Sequence, residues 1–142
     1  MKKIIAAAAL SMIAIPAWAD SLTVTVTNIT ERGEMHLAIY DDADVFENDN
    51  GEKGGAANGI IDGVIEMVDP GTATYSFDIP KGVYTIGIFV DVNLNNKMDT
   101  NFVGIPKEQY GFSNNAKGFM GPPTFKAASF TVDGPTTQKI DL

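Results

Sequence analysis

The feature that most limits the fold of this chain is an alternation of apolar and polar residues with a period of two. In residues 22–27, Leu22, Val24 and Val26 alternate with threonine. Successive side chains of a β-strand point to opposite faces, so this pattern predicts a strand with one buried face. The same pattern predicts strands in residues 35–40, 64–68, 74–79, 128–132 and 138–142.

Residues 83–90 are apolar on both phases, which is typical of a central strand that is covered on both faces. Turn sequences separate the predicted strands: Glu31-Arg-Gly33, Pro70-Gly71, Pro80-Lys-Gly82 and Asp133-Gly-Pro135. Short alternating strands at this spacing predict an all-β chain: a single antiparallel Greek-key β-sandwich of about seven strands, as in Ig-like domains. A small closed barrel is the alternative. Two long loops, residues 41–63 and 91–123, complete the predicted domain.

The first 19 residues have the form of a secretory signal peptide. Lys2 and Lys3 precede an apolar run, residues 4–15, and Ala17-Trp18-Ala19 matches an A-x-A cleavage site. The apolar run is too short to span a membrane. We therefore expect residues 20–142 to form one exported domain, in the periplasm of a bacterium or outside the cell.

Composition limits the classes of function. A formal net charge of −8 argues against nucleic acid or an anionic membrane as the partner. The absence of cysteine excludes disulfides, a thiol nucleophile and a zinc–thiolate site. The only histidine, His36, lies on the polar phase of a predicted strand, where an ordinary surface histidine is expected. The sequence therefore predicts a domain that is not an enzyme.

Oxygen-bearing side chains occupy five of the six alternate positions of residues 91–101, Asp-Val-Asn-Leu-Asn-Asn-Lys-Met-Asp-Thr-Asn. A curling loop with this spacing can turn its oxygens onto one hard cation, and calcium takes about six to eight oxygen ligands. The sequence thus predicts calcium as a cofactor. The predicted ligands are the side chains of Asp91, Asn93, Asn95 and Asp99 and the backbone carbonyl of Lys97.

The match to an EF-hand loop is partial. The sixth position holds Asn96 instead of glycine, and the twelfth holds Phe102 instead of a bidentate glutamate. Asn96 can adopt the left-handed backbone conformation that the sixth position needs. The missing glutamate predicts weak affinity unless a distant carboxylate completes the site. The alternative is a turn in which Asp and Asn side chains bond their own backbone.

The second predicted loop also carries aromatic rings and amides, which could bind a sugar or a peptide. The candidate ligand-binding residues are Tyr110, Phe112, Asn114, Asn115 and Phe119. The alternative is that the rings hold the loop against the core and that the amides organise its turns. A binding role predicts that at least two rings are exposed together, whereas a stapling role predicts that they are buried.

Residues 82–125 form a distinctive pattern. It contains Gly82-Val-Tyr84, the repeat from Asp91 to Asn101, Gly104-Ile105-Pro106, Tyr110-Gly111-Phe112 and Gly121-Pro122-Pro123. In this pattern the chain resembles the bacterial exported family known as domain of unknown function 2141, over nearly the whole length after the signal peptide. A shorter stretch is similar to the prealbumin-like sandwiches of carboxypeptidase regulatory domains.

The resemblance implies location and fold more than function, because members of the family have no assigned activity. Two positions depart from the family pattern: Val90, where histidine is frequent, and Asn96, where glycine is usual. The predicted function is therefore an exported accessory or binding domain of unknown partner, stabilised by calcium. The alternative is a carbohydrate- or peptide-binding module that uses the aromatic loop, residues 110–125.

Overall fold

The computed structural model describes residues 19–49, 57–103, 105–119 and 121–142 of the 142-residue chain. The predicted signal peptide lies outside the described residues except for Ala19, and its cleavage stays a prediction. The described strands are β1 Ala19–Ile29, β2 Gly33–Tyr40, β3 Asp62–Val68, β4 Gly71–Pro80, β5 Gly82–Asp91, β6 Tyr110–Phe112, β7 Phe130–Val132 and β8 Thr136–Asp141. Two short helices, α1 Ala43–Asn48 and α2 Phe125–Ala128, and a 3₁₀ turn at Ser113–Asn115 complete the elements. Among these described elements, neither helix has the length and apolar composition needed to cross a bilayer.

The strands form two sheets that enclose one core, which confirms the predicted β-sandwich and excludes the barrel. The first sheet has the order β4-β1-β8, and the second has the order β3-β2-β5-β6 with β7 paired to the start of β5. One pair departs from the antiparallel pattern, since β1 and β8 run parallel. The turn before β8 carries the chain from β7 in the second sheet to the first sheet, so no hairpin fixes the direction of β8 against β1.

The predicted apolar phases line the core. Leu22, Val24 and Val26 of β1 are fully buried, and they face Met35, Leu37 and other apolar residues of the second sheet in one cluster. For β1 and β2 the period of two thus identified both the strand and its buried face. The predicted strand 128–132 is shorter, because Ala128 ends α2 and belongs to a separate cluster, and only Phe130–Val132 form β7.

Strand β5 is covered on both faces, as its sequence predicts. Its inward side chains, Tyr84, Ile86, Ile88 and Val90, belong to the main core. On the outward face Thr85 is also fully buried, on the side of a second cluster that lies apart from the main core. The second cluster consists of Tyr40, Phe46 and Ala128, with Ala38, Val45, Ile60, Phe112, Ala116 and Phe125 packed against it.

The two segments that were predicted as loops supply part of this second cluster: Val45, Phe46 and Ile60 from residues 41–63, and Phe112 and Ala116 from residues 91–123. Residues 41–63 contain α1, which begins after Asp42; the Asp42 carboxylate accepts the backbone N–H groups of Asp44 at 2.9 Å and Val45 at 3.1 Å. Only Phe46 of this six-residue helix is buried, so it shows no helical periodicity in the sequence. Residues 91–123 contain β6 and the 3₁₀ turn.

Ser113 holds the second segment to β5. Its hydroxyl accepts the backbone N–H of Ile86 at 2.9 Å and donates to the carbonyl of Ala128 at 2.5 Å, and the residue is fully buried. Ser113 follows β6 and Ala128 precedes β7, so one hydroxyl joins the edge of β5 to both short neighbouring strands.

We predict that Ser113→Ala lowers the free energy of unfolding by about 1–3 kcal/mol, because the N–H of Ile86 would be left buried without its acceptor. Urea denaturation followed by circular dichroism measures the change. Ser76→Ala, an exposed serine of β4, is the matched control and should change stability by less than about 0.5 kcal/mol. Equal stabilities of the two variants would show that these buried bonds contribute nothing net.

Candidate ligand and metal site

The outer face of the second sheet carries two rows of aligned side chains. The strand register places Ile65, His36, Phe89 and Tyr110 opposite one another, one from each strand. The adjacent row contains Gly63, Ala38, Gly87 and Phe112. Three of the four residues in this second row are small, so the middle of the sheet face forms a low floor between bulkier side chains.

A large open cavity lies over this floor, with a volume of about 1360 Å³. We call it the trough. Most of its lining is apolar, and its margins include the exposed side chains of Ile65, Val103, Ile105 and Tyr110. Its apolar lining includes Ala38, Phe46, Ile60, Phe89, Met98 and Phe112. The second cluster closes one end of the trough, because Tyr40, Phe46 and Phe112 belong to both.

A charged cluster of Glu34, His36 and Asp91 lies on this face, at the start of β2 and the end of β5. Nε2 of His36 is 2.9 Å from Oε1 of Glu34 and 3.7 Å from Oδ2 of Asp91. Glu34 and Asp91 are directly opposite each other on β2 and β5. The His36 ring stacks on Phe89 with a centroid distance of 4.6 Å and an interplanar angle of 16°.

The expectation of an ordinary surface histidine is therefore wrong for His36. Its side chain is only 11% exposed and lies between an aromatic ring and two carboxylates. The alternation identified the outward phase of β2 but gave no sign that another layer lies over that face. Neither Glu34 nor His36 was selected as a site residue, and the sequence offers only their spacing of two on one strand as a signal.

Asp91 ends β5 and organises the loop that follows. Its side chain is fully buried, and its carboxylate accepts the backbone N–H groups of Asn95 at 3.3 Å and Asn96 at 2.6 Å. Leu94 and Asn96 have positive φ values of 60° and 64°. The left-handed conformation expected of Asn96 is thus present, and it brings the Asn96 N–H onto the Asp91 carboxylate.

A second group of the predicted ligands gathers around Asp99. The side-chain amides of Asn93 and Asn95 donate to its carboxylate at 2.6 Å and 2.8 Å. These bonds lower the pKa of Asp99, and the bond from Asn95 has the larger effect. The positive charges of Lys107 and Lys97 lower the pKa further. The backbone N–H of Lys97 donates to Oδ1 of Asn95 at 3.0 Å.

Glu108 is the distant carboxylate that the loop sequence alone does not provide. It accepts the N–H of Val92 at 2.9 Å and the N–H of Asp99 at 3.1 Å, so it joins the two ends of the loop. Its place was missed because it lies outside the alternating repeat, and only the fold returns the chain to this point.

The structure therefore divides the five predicted calcium ligands. Asn93, Asn95 and Asp99 are brought together by side-chain hydrogen bonds. Lys97 contacts this group through its backbone N–H, which donates to Asn95, and not through the carbonyl that was predicted as a ligand. Asp91 instead directs its carboxylate towards His36 and the loop backbone. Calcium binding stays a prediction.

The predicted aromatic residues also divide. Phe112 is partly buried, and its ring makes edge contacts with Phe46 and Tyr110, each at a centroid distance of 5.9 Å. Tyr110 is 46% exposed beside the trough, and Phe119 is 93% exposed. Phe112 therefore packs the loop onto the sheet, while the other two rings remain available to a ligand.

Asn114 and Asn115 connect the 3₁₀ turn to the rest of the molecule. The amide of Asn114 donates to the carbonyl of Ser129 at 2.7 Å, and the amide of Asn115 donates to the carbonyl of Lys139 at 3.2 Å. Oδ1 of Asn115 also accepts the N–H of Asp141 at 2.8 Å. Both residues have positive φ, which asparagine tolerates better than most residues. These contacts are those of turn organisers.

The comparison with known families agrees with the pattern of residues 82–125. Residues 24–140 match the model of a family described as "Uncharacterized protein conserved in bacteria (DUF2141)". The chain belongs to this family. Neither a comparison with curated proteins nor one with solved structures gives a match. The family match thus covers nearly the whole described sandwich, but it assigns no activity to the chain.

We predict that Asn95→Ala raises the pKa of Asp99, because it removes the larger of the hydrogen bonds that lower it. A lowered pKa in the folded state contributes stability that is present above the usual aspartate pKa and is lost as the pH falls through the lowered value. An NMR titration of the Asp99 side-chain carbonyl measures the pKa in the variant and the wild type. Asn58→Ala, an exposed asparagine in another turn, is the control. An unchanged pKa in Asn95→Ala would contradict the assignment of these bonds.

Proposed function

We propose that the protein is an exported binding domain without enzymatic activity, and that the trough holds an elongated, largely apolar small molecule. The observation that carries this proposal is the floor of small residues on an outer sheet face, which is flanked by rings and opens into a cavity of about 1360 Å³. Ligand sites in proteins are concave, mostly apolar and of about 300–1,000 Å³. The trough slightly exceeds that range, which suits an extended ligand.

The exposed apolar side chains at the margins support the same conclusion. Ile65 is 57% exposed and Ile105 is 59% exposed, and both line the trough together with the exposed Tyr110. Apolar side chains that are exposed as a group, rather than singly, are typical of interaction sites, because a partner recovers the cost of leaving them in water.

Gly87 is the position at which the trough can be filled without disturbing the fold. A Cβ atom built on it would lie 3.6 Å from the Tyr40 ring and 3.7 Å from the Phe112 ring, which is ordinary van der Waals contact. A valine there would occupy the floor of the trough, and β-branched residues are favourable in strands.

We predict that the hydrophobic fluorophore N-phenyl-1-naphthylamine binds the protein and that Gly87→Val weakens its binding by about tenfold or more, equivalent to about 1.4 kcal/mol. The measurement is fluorescence titration of residues 20–142. This segment contains no tryptophan, since the only one is Trp18, so protein fluorescence interferes little. Thr74→Val, on an exposed position of β4, is the matched control and should bind the probe like the wild type.

Equal binding by wild type, Gly87→Val and Thr74→Val would contradict a ligand in the trough. The exposure of Tyr110 and Phe119 favours a glycan as the second candidate, because both rings can stack on sugar faces. If Phe119→Ala removes a signal on a glycan array while Gly87→Val keeps it, the glycan proposal replaces the first one.

We also propose that the loop from Asn93 to Asp99 binds calcium weakly. The support is the proximity of Asn93 and Asn95 to the carboxylate of Asp99, with the carboxylate of Glu108 beside the Asp99 backbone. The two amides donate their N–H groups to Asp99, so calcium binding requires them to rotate and turn their oxygens to the ion. Carboxylate and amide oxygens are the ligands that calcium prefers, and a site with few carboxylates has an affinity of about 10⁻⁴ to 10⁻³ M.

We predict that calcium at ten times its dissociation constant stabilises the wild-type fold by about 1.4 kcal/mol. Asp99→Asn should abolish this effect. Asp78→Asn, which makes the same charge change on an exposed position of β4, should retain it. Thermal unfolding in millimolar calcium or in EDTA at constant ionic strength measures both. An unmoved wild-type midpoint would leave the loop as a hydrogen-bonded turn only.

A further inference from the structure

We propose that Glu34, His36 and Asp91 form a binding site for a divalent first-row transition metal ion, with zinc as the ion to test first. The site lies at the start of β2 and the end of β5. It does not depend on the ligand proposed for the trough. Of the three residues, only Asp91 belongs to the alternating Asp/Asn repeat.

The distances suit a single ion. The three ligand atoms lie within 4.8 Å of one another, and Nε2 of His36 is 2.9 Å and 3.7 Å from the two carboxylate oxygens. Zinc bonds of about 2.1 Å place neighbouring atoms of a tetrahedral site about 3.4 Å apart. An ion therefore requires only small side-chain movements and no change in the strands.

The charges at this point also favour binding of a cation. Two carboxylates converge on one imidazole nitrogen, and the Asp91 side chain has no contact with solvent. The N–H groups of Asn95 and Asn96 compensate the buried Asp91 carboxylate on one side, and a cation would compensate it on the side that faces His36. A divalent ion in place of the proton on Nε2 would be bound by both carboxylates at once and would neutralise them together.

The surroundings hold the ligands in place before any ion binds. Glu34 and His36 lie on one strand, and Asp91 is opposite Glu34 on the next, so the backbone spacing is fixed by the sheet. Phe89 fixes the plane of the imidazole ring, and the N–H groups of Asn95 and Asn96 orient the Asp91 carboxylate. Such supporting contacts are a usual part of metal sites, because they fix the ligand orientation.

One nitrogen and two oxygens form a set that suits zinc and its neighbours better than calcium, which prefers oxygen ligands. Three protein ligands are one fewer than a four-coordinate zinc ion takes. Since His36 also lines the trough, water or a polar group of a bound molecule would supply the remaining ligand from that side.

The experiment uses the protein purified without a polyhistidine tag. His36 is the only histidine of the chain, so the imidazole ¹⁵N resonances report on this site alone. Zinc should shift the Nε2 resonance, and isothermal titration should give one site per chain. His36→Gln and Glu34→Gln should each weaken zinc binding by about tenfold or more. Asp78→Asn, on an exposed position of β4, should leave it unchanged.

Each outcome is decisive. Thermal unfolding of both glutamine variants shows whether they fold, and one folded variant is enough for the comparison. An Nε2 resonance that does not move at a tenfold excess of zinc would overturn the proposal and leave a hydrogen-bonded charge cluster. Zinc binding that survives His36→Gln but is lost in Asp99→Asn would also overturn it, because the ion would then occupy the loop.

Discussion

Burial of β5 on both faces is the constraint on which the other elements depend. Its inward side chains require the three-stranded sheet on one side, and the fully buried Thr85 shows that the other side is covered as well. The cover is built from α1, β6, the 3₁₀ turn and α2. The hydroxyl of Ser113 joins the 3₁₀ turn and the end of α2 to β5. This cover ends at Gly87. The trough begins there because Gly63, Ala38 and Gly87 have side chains too small to fill the space.

The end of β5 imposes a second requirement, since the strand finishes with a buried carboxylate. Asp91 is compensated by the backbone of the loop on one side and faces His36 on the other. One side chain thus connects the alternating loop with the charged cluster on the sheet face. This connection explains why the loop and the cluster, which have different chemistry, lie next to each other at the same end of the trough.

The strands and their buried faces could be predicted from the sequence, because every second side chain of a strand has the same environment. Residues 22–27 and 83–90 illustrate this, and both lie where expected. Helix α1 and strand β6 could not be predicted, because six and three residues are too short to show a period. The parallel pairing of β1 and β8 follows from a crossing between sheets, which local sequence does not encode.

For the site, the sequence by itself determined the chemical groups, and the tertiary structure decided their partners. The repeat after β5 already showed the oxygen-bearing side chains, and three of them do lie together around Asp99. Glu34 and His36 carried no such signal, because their importance comes from the pairing of β2 with β5, which places Glu34 opposite Asp91. Alternation reports only the local direction of a side chain, whereas a site that is built from two strands exists only after their register has been fixed.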